Sequence, residues 1–483
     1  MPETVADLLA RHAADPARVF AVLADGTEVT YAQQLARSRL VAAGLARKGI
    51  RPGDRVHVQL GNCRQFIDVW FATALGGAVL VPTNPQASDD ELAHVLWDSG
   101  AAISIRSAAE VDALVGTGGE ADTPDAVDHQ PGRLAAILYT SGTTSRAKGV
   151  RVTDANYVAV GRAVADHLAV TAADRWLIVL PLFHANAQYY CVMSALVQGA
   201  SVALAERFSA SGWGRQAHQL RATLGSLFAA PVRMILAHSG SADDRANRVR
   251  LVLFAQNLHP DEARRFEERF GTKLLQLYGM TETVLPPTMN PLDESRRWES
   301  IGRPLPGVQV DLLDAGGQPV RTGDVGEMVV SGLPGETVAD GYWNNPAATA
   351  EVFTDRGLRT GDLARRDDAG FLYFVDRAKD MIKRGGENVS AGEVERVAGE
   401  HPAVAECAAV GVPDPIRDEA IRLVVVVRPG HEVTEEEIVG WCRDRLSPFK
   451  VPSFVSFVDA LPRTSVGKVH KAELRTHPVD AAG

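Results

Sequence analysis

Residues 137–150, ILYTSGTTSRAKGV, hold the densest chemistry in the chain. Ile137, Leu138 and Tyr139 read as a buried strand. Six small or hydroxyl residues follow (Thr140, Ser141, Gly142, Thr143, Thr144 and Ser145), then a cation at Lys148. Such a loop turns backbone N–H groups, hydroxyls and an ammonium toward one point, which suits a polyphosphate. It is not a Walker loop, because Lys148 is followed by Gly149 and only Gly142 precedes it as a glycine. A Ser/Thr-rich turn has the same composition, so the loop alone leaves both readings open.

Four further segments carry chemistry. YGMTET at 278–283 offers Tyr278 to stack on a base, Gly279 for close backbone approach, and Thr281 and Glu282 as oxygen ligands for a phosphate-bound Mg²⁺. Its plainer reading is a strand-to-helix turn with Glu282 as a cap. TGDLA at 360–364 sets Asp362 at a turn, where a carboxylate can accept from two vicinal hydroxyls. DRAKDMIKRGGENVS at 376–390 packs charge and the Gly385–Gly386 pair around Met381 and Ile382. PRTSVGK at 462–468 ends in Lys468, which alone would read as a solvated surface charge.

The elements around these segments alternate. Residues 29–50 and 66–76 have helical spacing, and apolar runs at 56–60 and 79–82 read as strands, a rhythm that argues for α/β layering. Residues 117–133 are rich in Gly, Asp and Pro and read as an exposed connector. A second strand–helix series fills 134–290, hairpins with Gly-rich turns fill 300–376, and a compact α+β segment follows residue 380. With 483 residues, two or more folding units are expected. The net charge of −10 argues against bulk nucleic-acid binding. No run of 18 apolar residues predicts a membrane span. The opening MPETVADLLARHA reads as a helix capped by Thr4 rather than a leader. Four scattered cysteines without CxxC spacing read as reduced packing residues of a cytoplasmic protein.

Taken in this order and over this length, from about Thr30 to Lys468, the motifs resemble the adenylate-forming superfamily: acyl-CoA synthetases, peptide-synthetase adenylation domains and luciferases. The resemblance implies a large N-terminal α/β core of layered sheets and helices with a small β-barrel-like subdomain (1–376), a hinge (377–379) and a small mobile α+β domain (380–483). It implies ATP, Mg²⁺ and coenzyme A as reactants. Thr140, Ser141, Gly142, Thr143, Thr144 and Lys148 would grip the β- and γ-phosphates. Glu282 would ligate Mg²⁺ beside Thr281, Tyr278 and Gly279 would adjoin adenine with Asn257, and Asp362 and Arg377 would hold ribose and phosphate. Lys379 falls at the hinge, Gly385 and Gly386 line the pantetheine tunnel, and Lys468 bridges carboxylate and α-phosphate.

PLFHANAQYY at 181–190 resembles the segment beside the acyl pocket, with His184 near the reacting carboxylate and Phe183, Gln188, Tyr189, Phe228 and Ala229 as pocket walls. Two departures stand out: Ala147 replaces the usual Pro before the loop lysine, and FAQNL at 254–258 puts Gln256 and Asn257 where small residues are usual. With MIKRGGENVS and RRWESIGRP, these resemble the carnitine/crotonobetaine-CoA ligase branch. The leading expectation is an AMP-forming acid–CoA ligase. The alternatives are transfer to a carrier protein's pantetheine, activation of another oxyanion such as nitrite for capture by an amine, and a catalytically silent ligand-binding relative. A homodimer is an open assembly, and neither a nucleic-acid nor a membrane partner is expected.

Overall fold

The structure is a computed structural model, which describes residues 3–116, 130–140, 147–256, 258–384, 387–414, 418–463 and 469–476. Its frame is a nine-stranded sheet. In spatial order its strands are Arg303–Pro304, Thr288–Met289, Lys273–Tyr278, Leu251–Ala255, Leu224–Phe228, Arg175–Ile178, Ser201–Leu204, Val19–Val22 and Glu28–Thr30. The six strands from Lys273–Tyr278 to Val19–Val22 run parallel. A second sheet orders Ile103–Ile105, Arg55–Val58, Val79–Pro82, Leu134–Thr140 and Lys148–Thr153. Parallel strands covered on both faces read as continuous apolar runs, and Val79–Pro82 is buried at every position.

Helices lie between the two sheets. One core joins Leu138 and Leu80 of the second sheet to Leu253 of the first through Trp70, Phe71 and Val160 of intervening helices. Capping boxes fix where these helices begin: Thr30 with Gln33 opens Tyr31–Arg47, and Thr153 with Asn156 opens Asp154–His167. The predicted helix over 29–50 is therefore trimmed at its start, because Val29 and Thr30 pair as strand.

The expected hairpins form a five-stranded antiparallel sheet from Gln309–Leu313, Val325–Ser331, Phe353–Thr354, Gly357–Arg366 and Leu372–Arg377. Beyond it, Ile382–Arg384, Glu387–Val389, Val404–Asp414, Asp418–Val427 and Phe454–Phe457 make a separate sheet, with the helices Ala391–Gly399 and Glu435–Arg443. This last unit has cores of its own, built around Val394, Leu423 and Ile438 and around Val410 and Leu474. Its link to the preceding sheet is the single 3-10 turn Ala378–Asp380.

Candidate active site

Strand pairing positions Lys148. Thr140 and Lys148 face each other across the antiparallel ladder, and the Thr140 hydroxyl donates to the Lys148 carbonyl at 3.4 Å. The Lys148 ammonium lies 5.2 Å from the centroid of the Tyr342 ring, a cation–π contact. The Tyr342 phenol donates to Glu282 Oε1 at 2.9 Å. Burial, and then the Glu282 charge, raise the Tyr342 pKa, so it stays a neutral donor. Tyr342 thus joins an anion and a cation that lie 134 positions apart in sequence.

Glu282 is 6% exposed. It sits in a turn closed by Thr283 N–H on the Met280 carbonyl at 3.2 Å and by Met280 N–H on the Thr283 hydroxyl at 3.1 Å. Val284 completes this turn at φ +57°, a left-handed conformation that a β-branched residue adopts only under strain. The chain then continues to the strand Thr288–Met289. The plainer strand-to-helix reading of YGMTET is thereby corrected: no helix starts there, and Glu282 caps nothing.

Tyr278, at the end of a parallel strand, donates to Asp362 Oδ2 at 2.6 Å. Arg377 Nε lies 3.3 Å from Asp362 Oδ1, and the two residues are ladder partners. Burial, then the Asp362 charge, raise the Tyr278 pKa well above the usual value, so this phenol is also a donor throughout the neutral range. Gly279 is a glycine for a steric reason: a Cβ there would stand 2.5 Å from the Tyr190 hydroxyl. Gln256 ends the neighbouring strand at φ +75°, exposed, with its carbonyl accepting from Gln276 Nε2 at 3.0 Å.

His184 is half-buried, its ring 4.3 Å from that of Phe183. The segment after it, Asn186–Val192, is a π-helix, a form that recurs at functional sites. Two expected pocket walls take a different place. Gln188 is fully buried, its NH₂ donating to the Leu182 carbonyl at 2.7 Å and its Oε1 accepting from the Tyr157 hydroxyl at 2.5 Å. Tyr189 is also fully buried, edge-to-face with Tyr157, with its hydroxyl 3.4 Å from the Thr281 carbonyl. Both back the segment from the core because their polar atoms are satisfied inside the protein. Phe228 is half-buried at the end of its strand, and Ala229 is buried behind it.

Thr281, Glu282, Tyr278, Gly279, Asp362, Arg377, Thr140 and Lys148 are thus gathered around the strand end at Tyr278 and the Tyr342 bridge. Lys379 lies in the turn Ala378–Asp380, with its side chain outside the described set. Ser141, Gly142, Thr143, Thr144, Asn257, Gly385, Gly386 and Lys468 also fall outside the described residues. Motif reading passed over Tyr342, although GYWNNP at 341–346, an aromatic pair in a Gly/Asn turn, is the signal that could have found it. Among the described residues, no group of three His, Cys, Asp or Glu could hold a metal ion. A single carboxylate at Glu282 suits a metal that arrives on phosphates, as Mg²⁺ does with ATP.

The Lys148 cation, the buried Glu282 carboxylate bonded by Tyr342, and the Asp362–Arg377 pair near the strand end at Tyr278 are the groups expected of an AMP-binding enzyme. The chain belongs to this family: residues 8–343 match AMP-binding enzyme, and residues 393–468 match AMP-binding enzyme C-terminal domain. It is 37% identical to a crotonobetaine/carnitine–CoA ligase of Escherichia coli O157:H7 strain EC4115 over 460 residues, which cover 88% of this chain and 89% of the relative. The fold is similar to that of ATP-bound MatB from Rhodopseudomonas palustris, with TM-score 0.88, 29% identity, and 97% and 98% of the two chains covered. It is equally similar to o-succinylbenzoate CoA synthetase (MenE) from Bacillus subtilis in complex with its acyl-adenylate, with TM-score 0.88, 29% identity, and 98% of each chain covered. Among the described residues, no helix is long and apolar enough to cross a membrane.

Proposed function

We propose that this chain is an AMP-forming acid–CoA ligase. A carboxylate oxygen attacks the α-phosphorus of ATP, the bond to the β-phosphate oxygen breaks, and pyrophosphate leaves. The sulfur of CoA then attacks the acyl carbon, the bond to AMP breaks, and the thiol proton passes to solvent. The observation that carries this reading is the Lys148–Tyr342–Glu282 bridge beside the Tyr278–Asp362–Arg377 cluster. In this reading the bridge supplies a cation and a buried carboxylate for a metal-bound triphosphate, and the cluster supplies a carboxylate for ribose.

Joining two anions requires charge neutralisation and fixed geometry. In this reading Lys148 and Glu282, the latter through Mg²⁺ carried on ATP, hold the leaving pyrophosphate. Asp362 accepts the ribose hydroxyls, for which it exchanges the Tyr278 donor. Lys468 neutralises the carboxylate and α-phosphate, and His184 lies beside the acyl group. Residues 377–379 act as the hinge by which the C-terminal unit serves both half-reactions. The branch similarity supports CoA as acceptor, and four free cysteines favour a cytoplasmic setting.

The test is pyrophosphate release from Mg-ATP with a panel of acids, followed by AMP formation and loss of free thiol when CoA is added. Release of pyrophosphate without any thiol consumption would remove CoA as acceptor.

A further inference from the structure

The helix Asp89–Ser99 carries no group assigned to the reaction, yet it holds both segments that make the Lys148–Tyr342 contact. Ser88 and Glu91 fix its start in a capping box. His94 and Asp98 lie four residues apart and so share one face of the helix. Asp98 Oδ2 accepts from the Tyr139 hydroxyl at 2.6 Å, and the His94 ring stands edge-on to the Tyr139 ring, with centroids 6.3 Å apart. The Asp98 carbonyl accepts from Trp343 Nε1 at 3.0 Å and from Asn344 Nδ2 at 2.9 Å, directly after Tyr342. Trp343 N–H donates in turn to the Gly149 carbonyl at 2.7 Å.

His94 reaches the other segment. Its Nε2 lies 2.9 Å from the carbonyl of Ala147, the residue before Lys148. A carbonyl only accepts, so Nε2 carries the proton and donates. His94 Nδ1 is enclosed and meets no partner among the described residues. An orphaned buried nitrogen costs stability, and an apolar side chain would fill the position without one. What histidine adds here is the single bond to Ala147. Proline at 147 would lock φ, whereas alanine leaves it free. A cavity of about 190 Å³ adjoins Lys148, its walls including His94, Asp98, Ala147, Trp343 and Asn344. The backbone before Lys148 therefore borders open space on this side rather than close-packed side chains.

We infer that His94 is a positioning residue for the triphosphate: by holding the Ala147 carbonyl it sets where the Lys148 ammonium sits. The inference rests on the acid–CoA ligase reading, in which Lys148 grips the β- and γ-phosphates. Its effect falls on those phosphates and not on AMP, because Asp362, assigned to ribose, is held by Tyr278 and Arg377 from other elements.

The test is equilibrium binding of Mg-ATP and of AMP to the full-length protein, read by calorimetry. His94→Phe keeps a ring and removes the donor. It should weaken Mg-ATP by about three- to tenfold and leave AMP within about twofold. His94→Asn, whose amide stops short of the Nε2 position, should behave in the same way and serves where the Phe variant does not fold. His94→Gln, whose amide reaches that position, should bind both nucleotides like the wild type. Lys148→Ala should show the same ATP-selective loss. Unchanged Mg-ATP affinity in His94→Phe and His94→Asn, an equal loss for both nucleotides, or a loss that His94→Gln shares overturns the inference and leaves the ligase reading standing. A wild type that binds no Mg-ATP, or a Lys148→Ala variant that binds it normally, sinks the reading of the site itself, and the inference with it.

Discussion

The phenol of Tyr342 is hydrogen-bonded to the carboxylate of Glu282 at 2.9 Å, while the face of the same ring carries the Lys148 ammonium. One side chain thereby spaces the two groups assigned to the metal-bound triphosphate. Tyr342→Phe keeps the ring and removes only the hydroxyl. A hydrogen bond to a charged group contributes about 1.5–3 kcal/mol, so the substitution should cost roughly tenfold or more in adenylation. The loss should shift the Mg²⁺ concentration needed for half-maximal rate. An unchanged Mg²⁺ dependence would show that Tyr342 does not position Glu282.

Glu282→Gln should lower pyrophosphate release by at least about a hundredfold, because a neutral amide is a poor ligand for a hard cation. Thioester formation from supplied acyl-adenylate and CoA needs no triphosphate and should persist. Equal loss of both half-reactions would argue for a structural role in the strained turn at Val284.

Lys468→Ala should abolish adenylation and spare thioester formation from acyl-adenylate, since only the first step joins two anions. The two half-reactions, measured separately, give the comparison. Parallel loss would contradict a C-terminal unit that serves the site in two orientations.

His57 supplies a pH prediction away from the site. It is fully buried, with its ring nitrogens 2.8 Å from the hydroxyls of Ser104 and Thr83. Burial pushes its pKa down from 6.5 to about 4. The unfolded chain therefore takes up a proton at a pH where the folded one does not. Stability is full above pH 6.5 and falls as pH drops toward 4, by on the order of 3 kcal/mol at about 1.4 kcal/mol per pH unit. Urea unfolding at pH 7 and pH 4 should show that fall in the wild type and a smaller one in His57→Gln. Identical pH slopes would assign the acid sensitivity to other groups.

Much of this was legible in the chain itself, for identifiable reasons. Buried parallel strands such as Val79–Pro82 are continuous apolar runs, so layering could be read directly, whereas the helix start at Tyr31 was missed because the capping box at Thr30 was passed over. Tyr278 and Glu282 stood out because polar residues at a strand end and its turn are conspicuous against apolar surroundings, whereas Asp362, expected at a turn, lies inside the strand Gly357–Arg366, paired with Arg377. Tyr342 was not legible because its partners lie 60 and 194 positions away. Gln188 and Tyr189 were named as pocket walls from the resemblance of PLFHANAQYY, which carries no information on which side chains the π-helix Asn186–Val192 buries. The strand-to-helix alternative for the turn after Tyr278 fails because the turn ends in a left-handed valine, a conformation that local preference argues against.

The junction between the two units carries one more consequence. Asp376, the residue before Arg377, accepts from the Ser390 hydroxyl and from Gly392 N–H, each at 3.0 Å, and so ties the start of the helix Ala391–Gly399 to the strand before the hinge. On the far side of the turn, Asp380 pairs with Arg475 at 2.8 Å within the C-terminal unit itself. In the proposed hinge reading, a rotation at 377–379 would break the first pair of bonds and leave the second intact. On that reading, changing Ser390, whose hydroxyl bonds Asp376, would shift the balance between the two proposed orientations without altering the groups assigned to ATP.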